Sequence, residues 1–207
     1  MLEAFCKPLP AAFVTALVEA LVQNPQRPCA SLPDDCGFVF YSETELIMLD
    51  DPAVRARLKV SGQSLKNVKG FVEETMHMPV VYKSADELRT AGAQHAIFQV
   101  SMLYEKIDLS GDALKDEYMA RHGATTEARM SELASLMGPS GSQELDFKAL
   151  PAPWPSMDIN AKGVNKRNAI VALCKHLTEK TGKSYTLDEH VAVFGDAGND
   201  LPMFEKV

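Results

Sequence analysis

The sequence predicts an α/β protein in two parts, and three observations lead there. Apolar residues recur at helical spacing in Phe13, Leu17 and Leu21, with Val14 and Val18 beside them. Short β-rich runs, GFVFY at 37–41 and LIML at 46–49, follow and then alternate with helical patterns. Near the C-terminus the strand-like MDI, a loop, a helical stretch and the run HVAVF give the order β-loop-α-loop-β. That order is the building unit of a parallel sheet.

The chain has 207 residues, enough for one large domain or two small ones, each with a buried core. Its 46% apolar and 24% charged content is that of an ordinary globular protein. A net charge of −7 and a pI near 5.3 argue against a general nucleic-acid or anionic-membrane surface. They leave room for a local basic pocket. Cys6, Cys29, Cys36 and Cys174 show no CxxC spacing, so buried thiols are expected rather than disulfides or zinc ligands. The apolar stretch Ala11–Val22 is too short to span a bilayer and is broken by Thr15 and Glu19. A soluble, cytoplasmic chain with no membrane or nucleic-acid partner is the expectation.

The first helix is expected over PAAFVTALVEALVQN, with Pro10 at its start and Pro25 just beyond its end. The two β-rich runs are separated by SETE and read as a hairpin. Asp50-Asp51-Pro52 then opens a short helix, PAVRARLKV, stopped by Gly62. Ser84 with Glu87 three residues on forms a capping-box pattern. HAIFQVSMLY, 95–104, is the strongest strand candidate of the middle region, and GDALKDEYMARHG and TTEARMSELASLMG are helix candidates closed by glycines. From residue 139 onward the texture changes to the loop GPSGSQ and the stiff, Pro-rich PAPWPS. Two readings of that stretch stand, an interdomain hinge and a tight surface connection. The expected division is 1–155 and 156–207.

The candidate chemistry lies in the second part. Ligands of parallel sheets bind beyond the carboxyl ends of strands. Asp196 follows VAVF with only Gly195 between, an acid placed where a hard cation would sit. Asp200 is positioned to cap the next helix, with Pro202 tolerated in its first turn. Asn199 and Asp200 could thus be turn and cap residues with no further role. Upstream, the loop AKGVNKRNAI carries Lys162, Lys166 and Arg167. Lys166 opens a helix, where its charge adds to the positive end of the helix dipole and is mildly unfavourable unless an anion is held there. A carboxylate for a cation and a lysine for a phosphate in one unit suggest metal-assisted phosphoryl chemistry.

KGVNKRNAI followed by VAVFGDAGNDLPMFE resembles the haloacid dehalogenase-like hydrolases, and within them the Cof-type phosphatases with a large α/β cap domain. The resemblance places the family's motif lysine on Lys166 and its GDxxND motif on Gly195, Asp196, Asn199 and Asp200. It implies an α/β cap domain over 1–155 and a partial, Rossmann-like core with an incomplete parallel sheet over 156–207. It implies that Asp196 ligates Mg²⁺, and that Asp200 holds the metal's waters and orients Lys166. Lys166 would neutralise charge on the transferring phosphoryl group, and Asn199 would support the network at the substrate. Arg167 departs from the family, which has a small residue there. The implied substrate is a small phosphorylated metabolite, with sugar phosphates preferred; phosphomannomutase-like and sucrose-phosphatase-like activities are related alternatives.

The family's nucleophile is the first Asp of a DxDxT motif, and no Asp in this chain is followed by another two positions on. Asp50-Asp51 has the wrong spacing, and Met157-Asp158-Ile159-Asn160 sits on the strand entering the Lys loop. The expectation is a chain that lacks flanking parts of the core and is inactive alone. A non-catalytic protein that keeps a phosphate or Mg²⁺ site is the alternative from another class. A calcium loop built on DAGND fails because Gly198 falls on a required ligand position. The five histidines show no ligand spacing, and the methionines of EETMHM read as packing residues.

Overall fold

The computed structural model describes residues 7–23, 37–52, 54, 73–74, 77–94, 96–103, 128–150, 156–195 and 200–205. The expected helix stopped by Gly62 and the helix candidate GDALKDEYMARHG lie largely or wholly outside these residues, as does PAPWP at 151–155.

The chain forms two compact units. The larger, Pro8–Ala161, is built on a six-stranded sheet in the order β3-β2-β1-β4-β6-β5. Its strands are β1 (Gly37–Tyr41), β2 (Leu46–Leu49), β3 (Val80–Lys83), β4 (Gln99–Leu103), β5 (Leu145–Leu150) and β6 (Ser156–Ala161). Among the described residues only β2 and β3 pair in parallel, and the other pairings are antiparallel. The β1–β2 hairpin forms as the sequence suggests, with Phe40 opposite Ile47. Ser42 shapes its turn, accepting from the Glu45 amide at 3.0 Å and donating to the Glu45 carbonyl at 3.1 Å.

Helix α1 (Ala11–Gln23) buries Phe13, Val14, Leu17, Val18 and Leu21, the stripe expected from the sequence. It packs against α2 (Ala85–Gln94). Ser84 and Glu87 close the predicted capping box at the start of α2. The Glu87 carboxylate accepts from the Ser84 amide at 2.8 Å and hydroxyl at 2.7 Å, and the Ser84 hydroxyl accepts from the Glu87 amide at 3.2 Å. The Ser84 side-chain bond, with its backbone bond second, holds the Glu87 carboxyl below its ordinary value. Residues 128–135 are helical and contribute buried Leu133 to the same core as Phe40, Val100, Met102 and Ile159.

Two expectations need correction. The run around residues 139–150 is not only a loop. A 3₁₀ turn (Gly138–Ser140) and the short helix α3 (Gly141–Glu144) lead into β5, an edge strand that the polar spacing of LDFKAL had hidden. More consequential, the MDI segment does not open a parallel β-α-β unit. It lies in β6, hydrogen-bonded antiparallel to β4 and β5, with Val100 and Phe147 on either side of Ile159. Pairing on both edges draws the whole strand into the larger unit, and the division falls after Ala161 rather than at 155.

The two faces of this sheet differ. Phe38, Phe40, Ile47, Leu49, Val100, Met102, Met157 and Ile159 alternate onto one face and are buried in the core. On the other, Tyr41, Gln99, Ser101, Asp158 and Asn160 sit side by side across β1, β4 and β6. Ser101 donates to the Asp158 carboxylate at 2.6 Å. Burial raises the Asp158 carboxyl above its ordinary value, and the Ser101 bond and the charge of Lys148 only partly oppose it. Burial likewise raises the Tyr41 hydroxyl.

A carboxyl raised by folding stabilises the native state most when protonated. Its contribution is fully present below the ordinary value of 3.8 and is lost as pH rises through the higher folded value. Asp158→Asn, which keeps an acceptor for Ser101, is therefore expected to gain stability over the parent as pH climbs from 4 toward neutrality. Urea midpoints across that range test this; parallel curves for the two proteins would contradict it.

Candidate functional site

The smaller unit comprises Met1–Lys7 and Lys162–Val207. Lys7 donates to the Lys162 carbonyl at 3.2 Å. The loop from β6 turns at Gly163, whose φ of 82° suits glycine. Its carbonyl accepts from the Asn168 side chain at 2.8 Å. Asn165 then caps α4 (Lys166–Thr181), its side-chain oxygen accepting from the Asn168 amide at 2.8 Å. Gly182 ends the helix in the left-handed conformation, with its amide on the Thr178 carbonyl at 2.9 Å. The helix that the sequence opens at Lys166 is thus present with both caps.

Lys166 is the first residue of α4, and its ammonium forms an ion pair with Asp200. Asp200 stands at the N-cap position of α6 (Leu201–Phe204), with proline in the first turn as expected, but its side chain makes no capping bond. The carboxylate is turned to Lys166 instead. The reading of Asp200 as a helix cap therefore holds for its position and not for its interaction.

Gly195 explains how the carboxylate reaches that place. A β-carbon on residue 195 would lie 2.3 Å from the Asp200 Cβ and 2.6 Å from its Cγ. No real side chain fits so close, so a glycine here is a condition of the Asp200 position. Asp200 is 7% exposed by side chain, while Lys166 is 49% exposed. The acid is fixed and the base is reachable.

The HVAVF strand is not formed. His190 ends the short helix α5 (Leu187–His190), and Val191–Gly195 lies in no strand among the described residues. The physical reason is the loss of its expected neighbour: β6 belongs to the other unit's sheet, and among the described residues no strand pairs with the apolar run. Phe194 is 88% exposed, while Val191 and Val193 are half-buried. Val171, Leu173, Leu201 and Phe204 are also exposed, leaving an apolar surface on the small unit.

Asp196 and Asn199 lie outside the described residues. Among the described residues no three acidic, His or Cys side chains cluster as a metal site. Asp200 itself offers a buried carboxylate, an oxygen donor of the kind a hard cation takes. Arg167, the departure from the family pattern, is packed with Nε and Nη2 buried and without hydrogen-bond partners. It lines a groove of about 640 Å³ with Cys174, Lys175 and Tyr185. A second groove of about 180 Å³ is lined by Lys7, Lys162 and Asn165. Neither is lined by Lys166 or Asp200, so chemistry rather than cavity shape marks the pair. The polar row on the large sheet was not anticipated as a functional candidate. Its signal was present, since QVS and DIN place polar residues at every second position.

The comparisons assign this α/β chain to a class of hydrolases, through a sequence model that matches residues 5–207. The chain belongs to the haloacid dehalogenase-like hydrolases. It is similar in fold to the crystal structure of SMU.1108c from Streptococcus mutans UA159, with a TM-score of 0.51 and 15% identity, over 95% of this chain and 54% of that one. A HAD subclass IIB sugar phosphatase, BT4131, aligns with a TM-score of 0.49 and 18% identity, over 95% of this chain and 52% of that one. The chain therefore spans about half the length of these solved structures. No curated protein matches it. Among the described residues no helix is long and apolar enough to cross a membrane.

Gly195→Ala is expected to push Asp200 off Lys166 and to cost about 1–3 kcal/mol, the usual penalty for overpacking. Lys166→Met should cost about 1 kcal/mol or less, because the ammonium is half exposed. Denaturation followed by circular dichroism ranks the two variants; an alanine at 195 as stable as glycine would show that Asp200 is not held by that contact.

Proposed function

We propose that this chain carries the cap and the Lys/GDxxND half of the active site of a Mg²⁺-dependent phosphatase of Cof type, acting on small phosphorylated metabolites and preferentially on sugar phosphates. The observation that carries the reading is the Lys166–Asp200 pair seated over Gly195. It joins the two motifs through which the sequence resembles the family. The large unit, Pro8–Ala161, is read as the cap, and Lys162–Val207 as the core portion.

In this reading Asp196 and Asp200 hold the cation, which when bound would polarise the phosphoryl oxygens. Lys166 presents its ammonium to a phosphoryl oxygen while the buried Asp200 carboxylate fixes its direction. The helix start beneath Lys166 adds amide donors of the same sign. Asn199 completes the hydrogen bonding at the substrate. The covalent route of the family needs an aspartate nucleophile, which attacks phosphorus and expels the alcohol as an aspartyl-phosphate forms. The absence of any DxD in the sequence favours a second reading alongside the first, that of a chain that binds phosphate and Mg²⁺ without turnover.

The purified chain is expected to give no Mg²⁺-dependent hydrolysis of p-nitrophenyl phosphate above a contaminant control. Titration calorimetry with Mg²⁺ and inorganic phosphate is expected to show phosphate binding that weakens at least tenfold in Lys166→Met. Measurable turnover would overturn the inactivity, and phosphate binding indifferent to Lys166 would overturn the site.

A further inference from the structure

Arg167 follows Lys166 in the first turn of α4. The residue is half-buried, and its Nε and Nη2 are both shielded from water with no hydrogen-bond partner among the described residues. The planar guanidinium sets these two nitrogens on one edge, so the two unpaired donors form a single fork. Such a fork matches the two oxygens of a carboxylate. Burying it unpaired costs free energy, because each donor has given up water without gaining an acceptor.

Arg167 also lines the groove of about 640 Å³, which lies within the small unit. Arg167, Val171, Cys174 and Thr178 are spaced at i, i+4, i+7 and i+11, which puts them on one face of α4 over about 16 Å. Residues 184–188 form the opposite wall. Thr178 ties that wall to the helix, its hydroxyl accepting from the Tyr185 amide at 2.9 Å and donating to the Cys174 carbonyl at 3.0 Å. His190 Nδ1 accepts from the Thr186 amide at 3.1 Å, and its ring is tilted against that of Tyr185 with centroids 5.7 Å apart. The wall that carries Tyr185 and Leu187 is therefore fixed at several points.

We infer that this groove is a binding site for a small organic carboxylate with an elongated apolar body. The carboxylate takes the Arg167 fork, and the body lies along Val171, Cys174 and Tyr185. The groove has the size of an ordinary small-molecule site. Both fork nitrogens are shielded, so the carboxylate meets them by a turn of the flexible Arg167 side chain into the groove. Charge decides against a phosphate ester. One guanidinium neutralises one negative charge, whereas a phosphate ester carries about 1.5–2 at pH 7. The other charged residues of the lining are exposed, and Glu179 and Asp188 outnumber Lys175, so the excess would meet net repulsion. Neither Lys166 nor Asp200 lines the groove, and the inference is independent of the proposed phosphatase reading.

The test is titration of the ¹⁵N-labelled full chain with octanoate below its micellar range, beside acetate, 1-octanol and inorganic phosphate. Octanoate is expected to give saturable shifts along α4 and residues 184–188. Acetate and 1-octanol should bind about tenfold more weakly or worse, since each lacks half of the contact. Inorganic phosphate should not displace octanoate. Arg167→Met and Arg167→Lys should each weaken octanoate binding about tenfold, the lysine because it keeps the charge and loses the fork. Val171→Asp, at a position 44% exposed, should weaken it as much in a chain of unchanged circular dichroism. Shifts centred on Phe194, Leu201 and Phe204, equal binding of 1-octanol, displacement by phosphate or full affinity in Arg167→Met would each overturn the inference, as would no saturable binding. Octanoate binding is expected to survive Lys166→Met; its loss there would put the anion on the Lys166–Asp200 pair and overturn the inference too.

Discussion

The antiparallel pairing of β6 with β4 is the constraint on which the rest of the description depends. Ser101 opposite Asp158 and Val100 opposite Ile159 set a register in which β6 has no freedom to slip. A slip of one residue would exchange Ile159, fully buried, with the polar Asp158 and Asn160. The pairing also decides where the large unit stops and where the Lys-bearing loop begins, with Lys162 immediately after the strand. The same register builds both the hydrophobic core on one face and the polar row on the other.

Much of the local structure was legible because it is encoded by short-range chemistry. The α1 stripe, the Ser84–Glu87 box, the β1–β2 hairpin and the start of α4 at Lys166 each depend on residues within a few positions of one another. The pairing of β6 could not be read in this way. MDINA is compatible with either a parallel or an antiparallel neighbour, and its partner β4 is distant in sequence. HVAVF failed for the complementary reason: four apolar residues make a strand only when another strand lies beside them. β5 escaped notice because LDFKAL mixes charged and apolar residues as an edge strand does, and its flanks carry turn-like glycines and prolines.

The site was legible in residue identity more than in interaction. Lys166 and Asp200 were paired by motif resemblance, and the structure brings them into direct contact. Position alone had allowed Asp200 to be a helix cap, and only the geometry shows its carboxylate turned away from its own helix. In the sequence Gly195 is the residue that separates VAVF from Asp196. Its observed contribution is space, since the Asp200 Cβ occupies the volume that any side chain at 195 would need.

That contact settles a question of design in the ion pair. A lysine at a helix start is unfavourable by itself, and a fully exposed carboxylate would relieve it only weakly. Asp200 is nearly buried and rigidly packed, so it directs the ammonium without spending its own conformational freedom at the moment a ligand arrives. Lys166 remains half exposed, and its three donors exceed what one carboxylate oxygen can accept. In the proposed reading a phosphoryl group would share the ammonium with Asp200 rather than displace it. The exposed apolar surface formed by Phe194, Leu201 and Phe204 sets a different demand. Exposed apolar side chains of this kind carry a cost in water, and these lie on the unit that carries the pair. The space left by Gly195 and the capped start of α4 both contribute to the Lys–Asp geometry, and neither involves the exposed apolar residues.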